Sequence, residues 1–180
     1  MFSQARFLVP VRSLVEHIAS LDLDKQHKLF CEQQLRNKKV LTHMQRVGHF
    51  EFGLARRVVD TGDTDQATRI RSCWESGHEI LGLALQWSNT YHYVAELLAA
   101  DDEVSRNIQL VRFEDLCGQS HATLTRVYEH VGLEVDEQTL LVQSDTLKRP
   151  SYYSVCYSPE QDEVIKDSTK DAAHQLGYEL

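Results

Sequence analysis

The first apolar pattern in the chain is a short uninterrupted run that leads into a helical one. Phe7, Leu8 and Val9 form the run, which is typical of a strand buried on both faces in a parallel sheet under helices. Pro10 has no amide hydrogen for a ladder, so we expect the strand to end there. The next apolar residues recur at helical spacing: Leu14, Val15, Ile18 and Ala19. The pattern over 5–20 therefore predicts a strand, a tight loop and a helix.

The same order of elements recurs later in the chain. Apolar residues at 108–113 predict a second strand. Glu114 and Asp115 follow at its carboxyl end, where we expect them to fix the geometry of the loop and the next helix. A helical pattern then begins near Ser120 and closes at Gly132. Strand, loop and helix in this repeated order indicate an α/β fold with a parallel sheet flanked by helices.

The longest helical signal lies between the two predicted strands. Apolar residues from Ile80 to Leu98 recur at helical spacing, which predicts a helix at the centre of the core. Gly77 and Gly82 each cost about 1 kcal/mol relative to alanine inside a helix. We therefore expect one of them to mark a bend or a close packing contact.

Shorter elements complete the pattern. We predict a polar helix over 22–36, a short helix from Val40 to Gly48, a polar connection over 101–107, a helix capped by Asp136, a loop over 146–154 and a last helix that stops at Gly177. Gly62 provides a turn ahead of the central helical region, with Thr64 or Asp65 as the expected N-cap. Ser158 and Gln161 predict a capping box at the start of the last helix.

Length and charge narrow the class of protein. The chain has 180 residues, 42% of them hydrophobic and 26% charged, which is typical of one globular domain over 1–180. Its net charge of −8 argues against a general nucleic-acid binder, because phosphate affinity depends on clustered Lys and Arg. No stretch approaches about 18 uninterrupted apolar residues, and no signal-peptide pattern opens the chain. We therefore expect no membrane partner and predict a cytoplasmic protein.

Cysteine and histidine do not indicate a metal centre. The cysteines are widely separated, and we predict that they are buried free thiols: Cys31, Cys73, Cys117 and Cys156. No two of the nine histidines have the helical spacing, with a carboxylate, of a zinc site. We therefore predict no metal. His43 and His49 flank Gly48 and are candidates for an acceptor pocket or a base, with ordinary surface histidines as the alternative.

Arg12 and Ser20 are the first candidates for binding chemistry. The loop that contains Arg12 lies at the carboxyl end of the first predicted strand, which is where open α/β sheets bind ligands beside helix N-termini. An anion suits such a position. A guanidinium and a hydroxyl that face the same crevice would bind phosphate, with each charge-assisted bond worth roughly 1.5–3 kcal/mol. The alternative is a surface arginine and a serine inside a helix.

Several motifs occur in the order found in the C-terminal part of a known family. They are FLVPVRSLVEHIAS, QWSNTYHYVAELL, the Phe113–Leu116 segment, the Val-Gly-Leu at 131–133 and the Leu-Gly-Tyr at 176–178. The chain resembles the sulfotransferases that use 3′-phosphoadenosine 5′-phosphosulfate. The resemblance covers nearly the whole chain. It implies a P-loop-NTPase-like parallel sheet flanked by helices, incomplete at the N-terminus.

The resemblance also implies a binding role for particular residues. It implies 3′-phosphoadenosine 5′-phosphosulfate as co-substrate, with Arg12 and Ser20 on its 3′-phosphate. Tyr91 falls near the family's adenine-contacting tyrosine, although core packing suits it equally. Lys148 and Arg149 lie where many members have basic residues that close over the 3′-phosphate, with a solvated basic loop as the alternative.

The implied function is transfer of a sulfuryl group from this donor to a hydroxyl or amine of a small-molecule or glycan acceptor. The family's Gly- and Ser/Thr-rich loop and its usual His or Glu base have no counterpart in this sequence, so the catalytic residues are unknown. One alternative is a truncated, catalytically inactive homologue that acts as a nucleotide-binding or structural module. Another is a nucleotide kinase of related fold. The sequence leaves the oligomeric state open, and a homo-oligomer is one of the alternatives.

Overall fold

The computed structural model describes residues 5–21, 32, 36–47, 56–150 and 155–179. Its elements are β1 Phe7–Val11, α1 Leu14–Leu21, α2 Lys38–Val47, α3 Thr64–Glu75, α4 Glu79–Ala100, α5 Asp102–Asn107, β2 Ile108–Arg112, α6 Phe113–Gly118, α7 Ser120–Val131, α8 Glu137–Thr146 and α9 Pro159–Gln175. They fall into two compact units. The first is drawn from Met1–Ser13 and Glu96–Tyr152, and the second from Leu14–Ala95 and Tyr153–Leu180. Each unit joins two segments that are distant in sequence, and the single domain over 1–180 stays a prediction.

The sheet of the first unit confirms the predicted strand direction. In the described part of the chain, β1 and β2 form a two-stranded parallel sheet, with Phe7 opposite Ile108 and Val11 opposite Arg112. Helices α5, α6 and α7 pack against β2, and α7 also packs against its neighbours α6 and α8. The described residues are mostly helical and include this small parallel sheet. The broad α/β class therefore agrees with the structure. The larger P-loop-NTPase-like sheet stays a prediction.

The sequence misjudged both the burial and the length of β1. Phe7 and Leu8 are 48% and 40% exposed, so this strand is not buried on both faces. The strand also continues through Pro10 to Val11, which is 1% exposed. Proline is tolerated in a strand where its missing amide hydrogen is not needed by a ladder partner. Here Pro10 lies opposite Val111 in the parallel pair.

Three element boundaries also differ from the prediction. Asp63, rather than Thr64 or Asp65, caps α3, because its carboxylate accepts from the amide of Gln66 at 2.9 Å. Residues 101–107 contain helix α5 rather than a plain connection, because Asp101 caps it through two backbone amides. Phe113 ends up at the start of α6, not in the second strand.

The other described boundaries follow the predicted patterns. Leu14, Ile18 and Ala19 form the buried face of α1. Gly132 closes α7 in the left-handed conformation, with a φ of 69°. Helix α9 begins with the predicted capping box of Ser158 and Gln161. Most of 22–36, Gly48–Phe52 and 151–154 lie outside the described residues.

Asp136 caps α8 as predicted. Its carboxylate accepts hydrogen bonds from the Thr139 hydroxyl at 2.6 Å and the Thr139 amide at 2.9 Å. The hydroxyl bond is the larger cause, and the amide bond the next, of a pKa for Asp136 below the usual value for aspartate.

The second unit has a core built on α4 and on the pair of α1 and α9, which pack against each other. Its most completely buried large side chains are Ile18, Ile70, Leu83 and Ile165. Gly82 lies in α4 directly beneath the ring of Trp74, which confirms close packing at one of the two helix-associated glycines. Gly77 instead forms the turn before α4, with a φ of 82°.

The cysteine prediction holds only in part. Cys73, Cys117 and Cys156 are outside any disulfide. Cys156 is exposed, so its predicted burial is wrong, and the other two are half-buried. Cys31 lies outside the described residues. Of the helices in the described part, none is long and apolar enough to cross a membrane.

His130 joins the two strands at the start of their pairing. Its Nε2 lies 3.2 Å from the carbonyl oxygens of both Phe7 and Asn107. Because both partners are acceptors, Nε2 carries the hydrogen. We expect His130→Ala to lower the free energy of unfolding by about 1 kcal/mol, since it leaves two carbonyls without this donor.

The control for this substitution is His121→Ala. His121 is on the same helix, and its side chain, which is 44% exposed, pairs with Glu137 at the surface. Exposed pairs contribute little, so we expect a loss below about 0.5 kcal/mol. Urea denaturation of both variants measures the difference. An equal, small loss in the two would show that the carbonyl contacts of His130 do not stabilise the sheet.

Candidate functional site

Arg12 lies at the carboxyl end of the parallel strand pair. Val11 and Arg112 are opposite each other as the last residues of β1 and β2, so Arg12 and Phe113 follow at the same edge of the sheet. The guanidinium carbon of Arg12 lies 4.5 Å from the centroid of the Phe113 ring. Such stacking fixes the plane of the guanidinium and uses its face. Its N–H donors lie in the plane, which is the direction in which a phosphate would be bound.

Glu114 fixes the loop that contains Arg12. The backbone amide of Ser13 donates to the Glu114 carboxylate at 2.8 Å. This contact joins residues that are distant in sequence and ties the end of β1 to the first turn of α6. The geometric role predicted for Glu114 is therefore confirmed. We call Arg12, Ser13, Phe113 and Glu114 the strand-end cluster.

The other cations predicted for phosphate binding are in the same unit as Arg12. Lys148 and Arg149 follow α8 in a stretch without helix or strand, and both are exposed. The predicted loop is therefore confirmed over 147–150. Their role stays a prediction.

Ser20 belongs to the second unit, on helix α1. Its hydroxyl donates to the carbonyl oxygen of His17, three residues earlier, at 2.7 Å. This is the local backbone bond that serine commonly makes inside a helix. The hydroxyl would have to rotate away from this carbonyl to donate to a phosphate.

Tyr91 also belongs to the second unit, where it is 9% exposed and part of an aromatic group. Its ring centroid lies 4.8 Å from that of Trp87, and Trp87 in turn lies 6.5 Å from Tyr178. Tyr91 therefore packs in the core, and its contact with an adenine ring stays a prediction. It also lines a cavity, which we call the aromatic cavity.

The aromatic cavity has a volume of about 350 Å³. Its lining residues are His17, Leu21, Val59, Asp60, Leu83, Gln86, Trp87, Thr90 and Tyr91. The side-chain oxygen of Gln86 forms a hydrogen bond within the protein, because it accepts from the amide of Val59 at 3.2 Å. A mostly apolar lining with few polar groups, at this size, is typical of a site for a small organic molecule.

Sequence reasoning missed two contributors. Phe113 was assigned to a strand, and only the parallel register brings its ring to Arg12. Trp87 was recognised as an apolar position in a helix, and only the packing of α4 puts it beside a cavity. His43 is exposed on α2, and His49 lies outside the described residues. Within the part of the chain that is described, no group of three His, Cys, Asp or Glu residues could hold a metal ion.

Comparison with other proteins gives no further information about the site. No family model, curated protein or solved structure matches this chain.

Proposed function

We propose that the protein binds 3′-phosphoadenosine 5′-phosphosulfate and transfers its sulfuryl group to a hydroxyl or amine of a small-molecule or glycan acceptor. The observation that carries the proposal is the strand-end cluster. Arg12 follows a parallel strand, stacks on Phe113 and belongs to a loop that Glu114 holds. This is a position where α/β sheets bind anionic ligands, and it agrees with the order of the sequence motifs.

In this proposal Arg12 binds the 3′-phosphate of the donor. A guanidinium offers two parallel N–H donors to a phosphate, and the stacking on Phe113 reduces the entropy lost when it binds. Lys148 and Arg149, which belong to the same unit as Arg12, add positive charge near the phosphate. The roles that the resemblance implies for Ser20 and Tyr91, both in the second unit, stay predictions. The transfer forms a bond from the acceptor oxygen or nitrogen to sulfur and breaks the bond from sulfur to the bridging oxygen of the 5′-phosphate. It releases 3′-phosphoadenosine 5′-phosphate, and the proton of the acceptor passes to solvent.

The test is a titration of the protein with 3′-phosphoadenosine 5′-phosphate in a calorimeter. We expect saturable binding, and we expect Arg12→Ala to weaken it by about 1.5 kcal/mol or more, which is roughly tenfold in Kd. The physical reason is the loss of charge-assisted bonds to a phosphate. Arg106→Ala is the matched control, because Arg106 is an exposed arginine of the same unit. We expect it to bind as the unchanged protein does.

Two results would contradict the donor site. One is the absence of binding up to millimolar nucleotide, with no rise in Tm. The other is equal affinity in Arg12→Ala, which would put Arg12 outside the site. Melting curves of both variants establish that the substitutions leave the fold intact.

A nucleotide-binding module without transfer is the second candidate. It is favoured by one sequence observation, the lack of the Gly- and Ser/Thr-rich loop of the family this chain resembles. Incubation with the phosphosulfate donor and a panel of phenols, amines and glycans separates the two candidates. Release of 3′-phosphoadenosine 5′-phosphate that depends on the acceptor supports the transferase. Nucleotide binding with no such release supports the module.

A further inference from the structure

Helix α2 carries a cluster of basic side chains around a surface cavity. The cavity has a volume of about 310 Å³ and lies within the second unit. Its lining residues, which we call the α2 basic cluster, are Lys38, Lys39, Thr42, His43 and Arg46. All of them are exposed. The Thr42 hydroxyl donates to the Lys38 carbonyl at 2.9 Å, so the three cations supply the binding chemistry.

Helical spacing places these side chains in adjacent rows. Lys38, Thr42 and Arg46 follow one another at intervals of four residues, and Lys39 and His43 do the same beside them. A helix rises 1.5 Å per residue, so the backbone positions of Lys38 and Arg46 are about 12 Å apart. The cluster therefore presents positive charge at both ends of a short strip. A ligand with two separated anionic groups fits this arrangement.

The cluster contrasts with the rest of the chain. The net charge of the protein is −8, yet residues 33–50 contain no Asp or Glu and include Arg36, Lys38, Lys39 and Arg46. Among the described residues, none of the three cluster cations forms an ion pair with a carboxylate. Concentrated like charge without partners destabilises a helix surface and attracts anions. A bound anion would offset this repulsion.

We propose that the α2 basic cluster binds a small ligand that carries two or more phosphate or sulfate groups. The cavity is an open surface depression lined by polar side chains, which suits a compact, solvated anion. Lysine binds such groups as a point charge, and arginine adds paired donors. The site shares no residue with the strand-end cluster or the aromatic cavity. It therefore stands independently of the proposed transferase activity.

The test uses pyrophosphate as the phosphate probe and sucrose octasulfate as the sulfate probe. Each is titrated into ¹⁵N-labelled protein, and amide shifts are followed by NMR at constant ionic strength. We expect saturable shifts concentrated in residues 37–47. We also expect the Lys38→Ala/Lys39→Ala variant to bind about tenfold more weakly or worse, because charge-assisted contacts are removed. Saturable binding of either probe with these shifts supports the site.

Two control variants make the outcome decisive. Lys170→Ala removes an exposed lysine from another helix of the same unit and should leave the affinity unchanged. Arg12→Ala should leave the shifts that pyrophosphate causes in residues 37–47 unchanged. The proposal is overturned if the double lysine variant binds both probes as the unchanged protein does. It is also overturned if sodium chloride alone reproduces the shifts, since that would be simple screening.

Discussion

Replacing Ile165 by alanine is expected to lower the free energy of unfolding by about 2–5 kcal/mol, the largest stability effect we predict. Ile165 is 0% exposed on helix α9, which packs against α1 in the second unit. Truncation removes buried apolar surface and leaves a cavity that close-packed neighbours fill only in part. A loss of this size is a large fraction of the stability of an ordinary domain.

Val164→Ala is the matched control for this prediction. Val164 is the preceding residue on the same helix but is 37% exposed, so its truncation should cost less than about 1 kcal/mol. Urea denaturation followed by circular dichroism measures both variants. If Ile165→Ala lost no more than Val164→Ala, the packing of α9 described for this unit would be wrong.

Gly82→Ala is expected to lower the free energy of unfolding by about 1–3 kcal/mol, although alanine is the better helix former. A Cβ atom at Gly82 would overlap Cδ1 and Nε1 of the Trp74 ring. The ring has little freedom to move away, because Arg56 stacks on its face at 4.4 Å and is itself held by Glu79. Overpacking therefore outweighs the gain in helix propensity.

The sign of the effect should change when the ring is removed. In a Trp74→Ala background, Gly82→Ala should stabilise the protein by up to about 1 kcal/mol, because only the helix propensity remains. Gly118→Ala in the unchanged protein is a second control, since a Cβ at Gly118 meets nothing within 4 Å. Thermal melts of the four variants complete the comparison. A destabilising Gly82→Ala in both backgrounds would mean that Trp74 is not the cause.

The cations of the two proposed binding sites differ in their exposure to solvent. Arg12 is half-buried and fixed by an aromatic ring, whereas the cations of α2 are exposed. A fixed guanidinium favours selectivity for one phosphate position, because little conformational freedom is lost on binding. Exposed lysines favour any dense anionic group and are more sensitive to salt. Salt dependence is therefore expected to be steeper for the α2 basic cluster than for the nucleotide.

Much of the local structure could be predicted from the sequence. The terminal glycine of α7, the Asp136 cap of α8 and the capping box of α9 are set by residues within a few positions, so short-range chemistry is sufficient. Asp63 and Asp101 show the limit of this reasoning. Asp63 was missed because Thr64 and Asp65 also qualified by residue type, and hydrogen-bond geometry selected Asp63. Asp101 was missed because no helix was predicted over 101–107.

For the candidate site, the sequence predicted where the residues lie along the chain but not which side chains contact one another. The sequence indicated Arg12 after a strand, and it indicated Glu114 after another. It could not show that Phe113 would supply the ring beneath the guanidinium, because that contact depends on strand register. The same is true of the aromatic cavity around Tyr91, whose walls come from segments that are far apart in sequence.

The sequence by itself determined most of the helices, several of their caps, the parallel order of strand, loop and helix, and the residues that carry charge. Periodicity and capping act between near neighbours, so they are readable along a chain. Only the tertiary structure decided which side chains meet. The exposure of β1, the place of Gly82 under Trp74 and the stacking of Arg12 on Phe113 all depend on contacts between distant residues. Such contacts are set by packing in three dimensions, which no local pattern records.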